Sequence, residues 1–586
     1  MKTLLIAINS RYIHSSLAPW YLKASCGDSF GEIKVVEYTI NDYTDSVLRK
    51  IYEEKCDVAA FSCYIWNFDE VIKVVDNLKK VSPGIRIVLG GPEVSFDPFD
   101  ILNKYKSVDF VLSGEGEESF RLLLKSFQDP YVELKDIGGL CYREKGQVTG
   151  NASLALIGDL NSIPSPYTED MLKFSKGKII YYESSRGCPF SCSYCISSTY
   201  NGVRYFSIDR VKEELLRIIN AGTALVKFVD RTFNCSKERA KEILRFVIDN
   251  SKETRFHFEA AADLFDEEML EILSDAPHGM IQLEIGIQST NTLTLQAVNR
   301  KTDLEKVFYY VNRITEQKNI HIHLDLIAGL PHEDYNSFKK SFDDVYRLMP
   351  HKLQLGFLKL LKGSGIRKDC SKFGYEFREY RPYEVLSNSR IGFGEIMTLK
   401  GIEDLVERYY NSGRFKLSLR FVIDNCFDSP FEFYECLYSY YREMGCIERS
   451  ISSRELYSIL LEFTEKMQLK VNSELLKELL KFDFMISDNT NNLPAGLCRD
   501  SAKAFREDCF AFLKEEDNIM SYLPQFKGQP AKKIINKVHF ERFLYDLTSE
   551  NGFERKNTIY LFNYATKDEV TGHYEYNKVE EISTQQ

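Results

Sequence analysis

Three cysteines, Cys188, Cys192 and Cys195, stand together in one short stretch of the chain. With three and then two residues between them, their thiolates can ligate three irons of a cubane cluster. One iron then has no protein ligand, as a catalytic cluster requires and an electron-carrying cluster does not. The alternative is a zinc site, but no fourth Cys or His follows closely to complete a tetrahedral set. The spacing therefore favours an iron–sulfur cluster.

The cysteines lie in a region, residues 176–365, in which strand patterns and helix patterns alternate. Six apolar, β-branched segments predict six strands, each followed by a segment of helical period. The predicted strands are 179–183, 225–229, 256–260, 280–287, 321–327 and 352–358. Six such units predict an open, partial (β/α)6 barrel, in which chemistry lies at the carboxyl ends of the strands. The cysteines follow the first strand, where that rule places a site.

Residues 1–155 show a second α/β pattern. Their predicted strands are 4–8, 33–38, 58–64, 85–89 and 110–112. Alternation with helices predicts a doubly wound, Rossmann-like parallel sheet. Ligands of such sheets bind beyond the carboxyl ends of the strands. We therefore expect four loops to cradle a nucleotide-like ligand; these are residues 9–16, 63–67, 90–95 and 113–118.

The remaining features of the chain indicate a folded protein of several domains. Its 586 residues are 44% hydrophobic and 28% charged, which suits several cores. A linker is predicted at 156–175 and a mainly helical domain at 366–586. The net charge of −10 argues against direct nucleic-acid binding, and no apolar stretch is long enough for a membrane helix. The scattered remaining cysteines fit reduced thiols, so we expect a cytoplasmic protein.

The cysteine motif and its barrel context resemble the radical S-adenosylmethionine (SAM) superfamily. The resemblance implies that Cys188, Cys192 and Cys195 hold a [4Fe-4S] cluster whose open iron binds SAM. One electron from the cluster, supplied by a donor such as flavodoxin or ferredoxin, then cleaves SAM to methionine and a 5′-deoxyadenosyl radical. Tyr194, just before the third cysteine, is implied to lie near the adenine.

Further positions resemble the SAM contacts of that superfamily, strand by strand. Asp230 ends the second strand, where relatives meet the SAM amino group, although the stretch departs from their Gly-Gly-Glu form. Glu259 ends the third strand and resembles the carboxylate that holds the ribose hydroxyls. The fourth strand and its helix contribute Gln288 and Arg300, with Arg300 implied to meet the SAM carboxylate. The fifth-strand motif is implied to pack on adenine through Ile327, Gly329 and Leu330.

The N-terminal domain resembles the cobalamin-binding domains that precede such barrels, chiefly through the Gly-rich stretches 90–93 and 113–117. It lacks the Asp-x-His-x-x-Gly signature of domains that ligate cobalt through histidine. His14 is the only histidine before His257, and a loop histidine is more often a polar contact than a ligand. Cobalamin binding therefore stays open at this point, because such a domain can persist as a scaffold.

The resemblance leaves three functions to weigh. Over its whole length the chain most resembles queuine lyase, which breaks a C–N bond of queuine to give an aminomethyl-deazaguanine precursor used in tRNA modification. The alternative is a cobalamin-dependent radical SAM methyltransferase of a small molecule. A non-catalytic iron–sulfur protein is the third possibility, against which the matching Glu259 and Arg300 argue. Substrate contacts are predicted at Glu284, His323 and Asp325, since carboxylates pair well with N–H donors.

Overall fold

The N-terminal region forms a seven-stranded sheet in a computed structural model that describes residues 1–199, 202–447, 449–490, 492–499, 503–549, 552–579 and 582. The strand order is β2-β1-β3-β4-β5-β6-β7, and the first five strands are parallel. The strands are β1 (Lys2–Asn9), β2 (Glu32–Thr39), β3 (Val58–Ser62), β4 (Arg86–Gly90), β5 (Phe110–Leu112), β6 (Leu140–Glu144) and β7 (Gln147–Gly150). The helices are α1 (Leu17–Cys26), α2 (Thr44–Glu53), α3 (Phe68–Val81), α4 (Pro98–Lys104) and α5 (Gly116–Ser126). The predicted doubly wound sheet is confirmed, with an antiparallel β6–β7 hairpin that we did not predict.

A six-stranded, all-parallel sheet follows, with the order β15-β14-β13-β12-β11-β8. It is the predicted open barrel. Its strands are β8 (Ile180–Tyr182), β11 (Leu225–Phe228), β12 (Arg255–Ala260), β13 (Ile281–Gln288), β14 (His321–Ala328) and β15 (Lys352–Phe357), and a hairpin of β9 (Ser185–Cys188) and β10 (Gly202–Tyr205) is inserted after β8. The helices are α6 (Glu169–Phe174), α7 (Ile208–Asn220), α8 (Lys237–Asn250), α9 (Glu267–Ser274), α10 (Thr292–Ala297), α11 (Leu304–Gln317) and α12 (Tyr335–Tyr346).

The barrel interior is polar, unlike the packed interior of a complete barrel. Along β13 the apolar residues Leu283, Ile285 and Ile287 are buried outward, under the helices. The alternating positions, including Glu284 and Gln288, stay partly accessible and face inward. The same alternation along β14 gives the barrel a polar lumen.

The C-terminal region is mainly helical, as predicted, and ends in a small antiparallel sheet. Its elements are α13 (Gly365–Lys368), β16 (Glu376–Phe377), β17 (Val385–Ser387), α14 (Phe393–Leu405), α15 (Lys416–Cys426), α16 (Pro430–Glu443), α17 (Ser453–Lys466), α18 (Ser473–Ser487), α19 (Lys503–Phe512), α20 (Glu516–Tyr522), α21 (Ala531–Ile534), β18 (Val538–Phe543), β19 (Thr558–Lys567) and β20 (Tyr574–Val579). Asn411 bonds both the backbone N–H and the carbonyl of Leu353 in β15, so this region closes the amino end of the barrel. Across the described residues, no helix combines the length and the apolar character needed to cross a bilayer.

Candidate active site

The cysteine loop is anchored on the β9–β10 hairpin, which pairs Cys188 with Gly202. Gly187 has a φ of +98°, and a Cβ there would lie 2.2 Å from the carbonyl oxygen of Gly202. Only glycine fits this left-handed, close approach. The first cysteine therefore sits at the end of a strand rather than on a free loop.

The rest of the cysteine loop is held by two neighbouring segments. The backbone N–H of Ser193 donates to the carbonyl of Val298 at 2.9 Å, and the N–H of Ile366 donates to the carbonyl of Ser193 at 2.9 Å. Asn299 donates through Nδ2 to Ser191 Oγ at 2.5 Å. These bonds fix the loop between the α10–α11 connection and the start of the C-terminal region.

One cavity at the carboxyl end of the barrel brings together most of the predicted site. It measures about 870 Å³ with its open mouth included. The lining residues are Cys188, Phe190, Cys192, Tyr194, Cys195, Ser198, Arg231, Thr232, Glu259, Ala260, Ala261, Asp263, Glu284, Gly286, Gln288, Arg300, Lys301, Thr302 and Asp325.

The three cysteines are free thiols and all face this cavity. Within the described ranges, no three His, Cys, Asp or Glu side chains stand close enough to ligate a single metal ion. Three free thiols around one cavity suit a cluster, because each thiolate can bind a different iron. The residues present therefore fit a cluster with one iron left open.

Arg300 lies beside the cysteines and binds the barrel backbone. Its Nη1 is 3.1 Å from Tyr194 Oη and 3.9 Å from Cys192 Sγ, and its Nη2 donates to the carbonyl of Gly286. Its Nε is buried without a hydrogen-bond partner among the described residues. Tyr194 and Cys192 help to raise the pKa of Arg300 against the effect of burial, so this side chain is a permanent cation facing the cavity.

Gln288 ends β13 in a strained backbone conformation. Its φ is +72°, and the pairing of β13 with β14 shifts register between Gly286 and Gln288. Its amide folds back over Gly286, where a Cβ would lie 2.2 Å from Gln288 Nε2. Gln288 Oε1 is buried without a partner in the described part of the chain. Such an outlier next to unpartnered polar atoms is typical of a ligand site.

Two glutamates at neighbouring positions of β12 and β13 face the cavity in different states. Glu259 is paired in register with Glu284. Burial raises the pKa of Glu259, and Arg231, 4.0 Å away, opposes that rise. The contact with His257 Nε2 at 2.9 Å lowers the pKa of Glu284 to about 2, and Lys227 Nζ lies 3.3 Å from the same oxygen. Glu284 is therefore a fixed anion.

Asp325 lies on the next strand, β14, and its pKa shifts in the opposite direction from that of Glu284. Burial, together with Glu284 and Glu259, raises its pKa to about 8. Its Oδ1 is buried without a partner in the described structure. Asp325 therefore presents a largely protonated carboxyl to the cavity at neutral pH. His323 lies two residues away on the same face but does not line the cavity, and its ring contacts His257 at 5.7 Å.

Four other predicted residues lie outside the cavity lining. Asp230 is buried and accepts hydrogen bonds from the backbone N–H and hydroxyl of Ser184 and from the hydroxyl of Ser185, so it supports the start of the cysteine loop. The carbonyl of Gly329 accepts from Tyr375 Oη at 2.9 Å. Ile327 and Leu330 flank it in the sequence.

Sequence reasoning missed several residues of the site. Arg231 and Thr232 line the cavity directly after Asp230, and Thr232 Oγ1 is 3.5 Å from Cys188 Sγ. Lys227 and His257 fix the charge of Glu284 and are partners in register on β11 and β12. An alignment of the inward-facing positions on adjacent predicted strands would have placed these two residues side by side.

Two of the four N-terminal loops expected to cradle a ligand use their carboxylates to bind the rest of the protein. Glu93, from the loop after β4, is 5% exposed and receives Arg381 Nε at 2.7 Å and Tyr383 Oη at 2.5 Å. Glu115, from the loop after β5, receives Arg204 Nη2 at 2.6 Å, and Glu117 receives Arg186 Nη2 at 2.5 Å. Their carboxylates are already partnered.

The loops after β1 and β3 remain available at the same edge. Tyr64 and Trp66 stack with ring centroids 4.4 Å apart and an interplanar angle of 8°, and Trp66 is 50% exposed. Burial raises the pKa of Tyr64, and the charge of Arg231, a cavity residue, opposes that rise. His14 Nδ1 is 2.7 Å from Tyr181 Oη. A flat aromatic surface of this kind fits the face of a corrin.

Comparison with known families assigns each region. Residues 3–124 match the B12 binding domain, residues 182–345 match the radical SAM superfamily, and residues 371–562 match a protein family of unknown function, DUF4080. These matches identify a [4Fe-4S] cluster and SAM as cofactors of the barrel and support cobalamin for the N-terminal domain.

Two curated relatives and one solved structure are similar to large parts of the chain. The chain is 27% identical over 314 residues to 2-(S-pantetheinyl)-carbapenam-3-carboxylate methyltransferase of Streptantibioticus cattleyicolor, covering 50% of this chain and 45% of that protein. It is 26% identical over 310 residues to the cobalamin-dependent radical SAM methyltransferase TokK of Streptomyces tokunonensis, covering 50% and 45%. The fold matches the cobalamin-dependent SAM radical enzyme OxsB with aqua-cobalamin bound, with a TM-score of 0.58, 14% identity and coverage of 83% and 84%. The chain spans about half the length of these two curated relatives, and the OxsB match speaks for the fold alone.

Proposed function

We propose that this protein is a cobalamin-dependent radical SAM methyltransferase acting on a small molecule. The observation that carries the proposal is one cavity that collects three free cysteines, Arg300 and the unpartnered amide of Gln288, in a chain whose B12-binding region carries a stacked aromatic pair with an exposed Trp66. The relatives described above are methyltransferases, and this favours methyl transfer over queuine cleavage, which the comparisons do not support.

The chain's own residues would divide the work of binding the cofactors. Cys188, Cys192 and Cys195 hold the cluster, and Arg300 offers the SAM carboxylate a charge-assisted bond. Glu259 faces the same cavity and suits the ribose hydroxyls, and Gln288 offers an amide oxygen. When bound, the cluster and SAM supply a carbon-centred oxidant, and cobalamin supplies a methyl group.

Other predicted residues would support the cofactors through the backbone or by orienting a neighbouring side chain. Asp230 orients the start of the cysteine loop through Ser184 and Ser185. The backbone around Gly329, with its neighbours Ile327 and Leu330, would pack on adenine, as the resemblance implies. Tyr194 would orient Arg300, whose Nη1 its hydroxyl contacts.

The acidic part of the lumen supports a polar substrate that offers N–H donors. Glu284 supplies a fixed negative charge, and Asp325 supplies a protonated carboxyl with one oxygen unpartnered in the described structure. Together they suit a group with both donors and an acceptor, with His323 beneath them. The electron donor would be a flavodoxin or ferredoxin.

An anaerobic assay of the reconstituted holoprotein tests this function. The protein is given SAM and a chemical reductant, with and without queuine as a probe, and its absorption spectrum reports bound corrinoid. Bound corrinoid, SAM-dependent 5′-deoxyadenosine and S-adenosylhomocysteine, and unchanged queuine would support the methyltransferase. Formation of aminomethyl-deazaguanine without bound corrinoid would overturn it in favour of the lyase.

A further inference from the structure

Glu333 is a buried carboxyl outside the cavity and behind β13. It follows β14 and is 1% exposed. Its Oε1 accepts hydrogen bonds from Ser289 Oγ at 2.6 Å and from Ser341 Oγ at 2.8 Å. Its Oε2 is buried without a hydrogen-bond partner in the described ranges. Burial raises the pKa of Glu333 to about 7, and the two serines oppose that rise.

The two serines extend this contact to the turn that follows β13. Ser289 Oγ accepts a hydrogen bond from the backbone N–H of Asn291 at 3.0 Å. Ser341 Oγ, on α12, accepts from the backbone N–H of Thr290 at 3.1 Å. Each residue of the turn 289–291 is thus tied to Glu333 directly or through one hydroxyl. Glu333 is the buried anchor of the turn, which is also held at the surface by Thr290 Oγ1, donating to Asp344 Oδ2 at 2.8 Å, and by Asn291 Nδ2, donating to the carbonyl of His332 at 3.2 Å.

That turn determines how Gln288 enters the cavity. Gln288 is the residue just before the turn, and its left-handed backbone costs free energy unless its surroundings enforce it. The same conformation lays its amide over Gly286, whose carbonyl receives Arg300. An unbroken series of contacts therefore links Glu333 to two of the cavity residues that carry unpartnered polar atoms, Gln288 and Arg300.

A buried carboxyl is a costly way to make a structural contact, because taking it out of water is penalised even when it is hydrogen-bonded. An apolar side chain could fill the same space but could not receive two hydroxyl donors. The geometry thus explains why a carboxyl stands here.

We propose that Glu333 is a positioning residue for SAM: through Ser289 and the turn it holds Gln288, and with it the Gly286 carbonyl and Arg300, in the arrangement that receives the cofactor. This inference rests on the proposed SAM contacts of Gln288 and Arg300. Glu333 itself touches neither cofactor nor substrate.

The test measures the affinity for SAM of the anaerobically reconstituted protein by equilibrium dialysis with labelled SAM, together with iron content and Tm. We expect Glu333→Ala to weaken SAM binding about tenfold at unchanged iron content, because two hydroxyls lose their acceptor. We expect Glu333→Gln to bind SAM within about threefold of the wild type, since its amide oxygen can accept both hydroxyls. The change that SAM makes in the EPR spectrum of the reduced cluster should be restored in Glu333→Gln and altered in Glu333→Ala.

Asp483→Asn is the matched control. Asp483 is equally buried and accepts from Ser418 Oγ at 2.7 Å, far from the cavity in the C-terminal region. It should lower Tm and leave SAM affinity unchanged. A folded Glu333→Ala that binds SAM like the wild type would overturn the inference, as would an equal loss of affinity in Asp483→Asn.

A second variant covers the case in which Glu333→Ala does not fold. Ser341→Ala removes one donor to Glu333 and the acceptor of the Thr290 N–H, and we expect it to weaken SAM binding about threefold. Unchanged binding by Ser341→Ala would overturn the inference. If the wild-type holoprotein itself does not bind SAM, the proposed function is wrong. If the wild type binds SAM and the variants bind it equally well, only the role of Glu333 is wrong.

Discussion

Loops leave the carboxyl ends of parallel strands in both α/β regions, but the two sets are used differently. At the barrel, Gln288, Arg300 and Asp325 keep buried polar atoms that have no partner among the described residues, and all three face one cavity. At the N-terminal sheet, Glu93 and Glu115 are each bound by basic side chains from later in the chain. The strand-end rule places a possible site at both edges. At the barrel, the unpartnered groups show which part of the edge is left for a ligand.

The largest expected effect tests the barrel side. Cys195→Ala removes one of three thiolates, and a cluster held by two cannot keep its site-differentiated iron. We expect iron content to fall to background and SAM-dependent 5′-deoxyadenosine to disappear, as measured by iron assay and mass spectrometry. Cys498→Ala, at an exposed cysteine of the C-terminal region, is the control and should keep both. Full iron content in Cys195→Ala would remove the basis for a three-cysteine cluster.

The next effect tests the open part of the N-terminal edge. Trp66→Ala removes the exposed ring of the stacked pair, and a large aromatic contact contributes enough free energy for us to expect about tenfold weaker corrinoid binding. Titration of the protein with hydroxocobalamin, followed by absorption, measures this. Tyr131→Ala, at a side chain 92% exposed elsewhere in the domain, should change nothing. Equal affinity in both variants would show that loop 63–67 does not meet the corrin.

Substitution of an N-terminal loop carboxylate that is bound by arginines should lower the Tm of the protein and leave cofactor binding unchanged. Glu115→Gln leaves Arg204 and Arg186 without a shared carboxylate, and both arginine side chains are at most 25% exposed. We expect Tm to fall by about 4 °C at unchanged corrinoid affinity, measured by differential scanning fluorimetry and titration. Glu133→Gln, which removes one partner of an exposed ion pair, should leave Tm unchanged. A loss of corrinoid affinity in Glu115→Gln alone would return this loop to the ligand site.

The smallest effect concerns the protonation of the barrel lumen. The folded protein holds a proton on Asp325, whose pKa is raised to about 8 from an ordinary value near 3.8. The stability linked to this group is complete below pH 4 and is lost as the pH rises to about 8. The side chain of Asp325→Asn does not ionise, so the variant keeps this stability as the pH rises. We expect the Tm of the variant minus the Tm of the wild type to increase by about 2 °C or more between pH 5 and pH 8.5. Parallel Tm curves would show that Asp325 ionises normally.

The strands of both sheets could be predicted because local patterning determines them. Strand β11 was predicted at 225–229 and spans Leu225–Phe228, and β5 was predicted with its observed bounds. The β9–β10 hairpin was missed because Ser185–Cys188 and Gly202–Tyr205 lack an apolar alternation and pair across the cysteine loop. Backbone pairing of that kind leaves no hydrophobic signal.

The candidate site could be predicted only where a motif carries its own chemistry. The cysteines, Glu259, Gln288 and Arg300 line the cavity, whereas Asp230 supports the loop from behind. The role of Glu93 could not be predicted, because its partner Arg381 lies 288 residues further along the chain. Whether a loop carboxylate is free or occupied depends on such distant partners.

The β9–β10 hairpin has a consequence for the order of assembly. Arg186 and Arg204 stand opposite each other in register, so the hairpin by itself places two like charges side by side. Glu115 and Glu117 neutralise them from the N-terminal domain, and the strand so stabilised ends at Cys188. During synthesis the N-terminal domain emerges first and can be waiting when the cysteines appear. The two sequence modules therefore meet at the strand that leads to the cluster, and a barrel expressed alone would keep Glu183 as a partner of Arg186 but would lose Glu115 and Glu117.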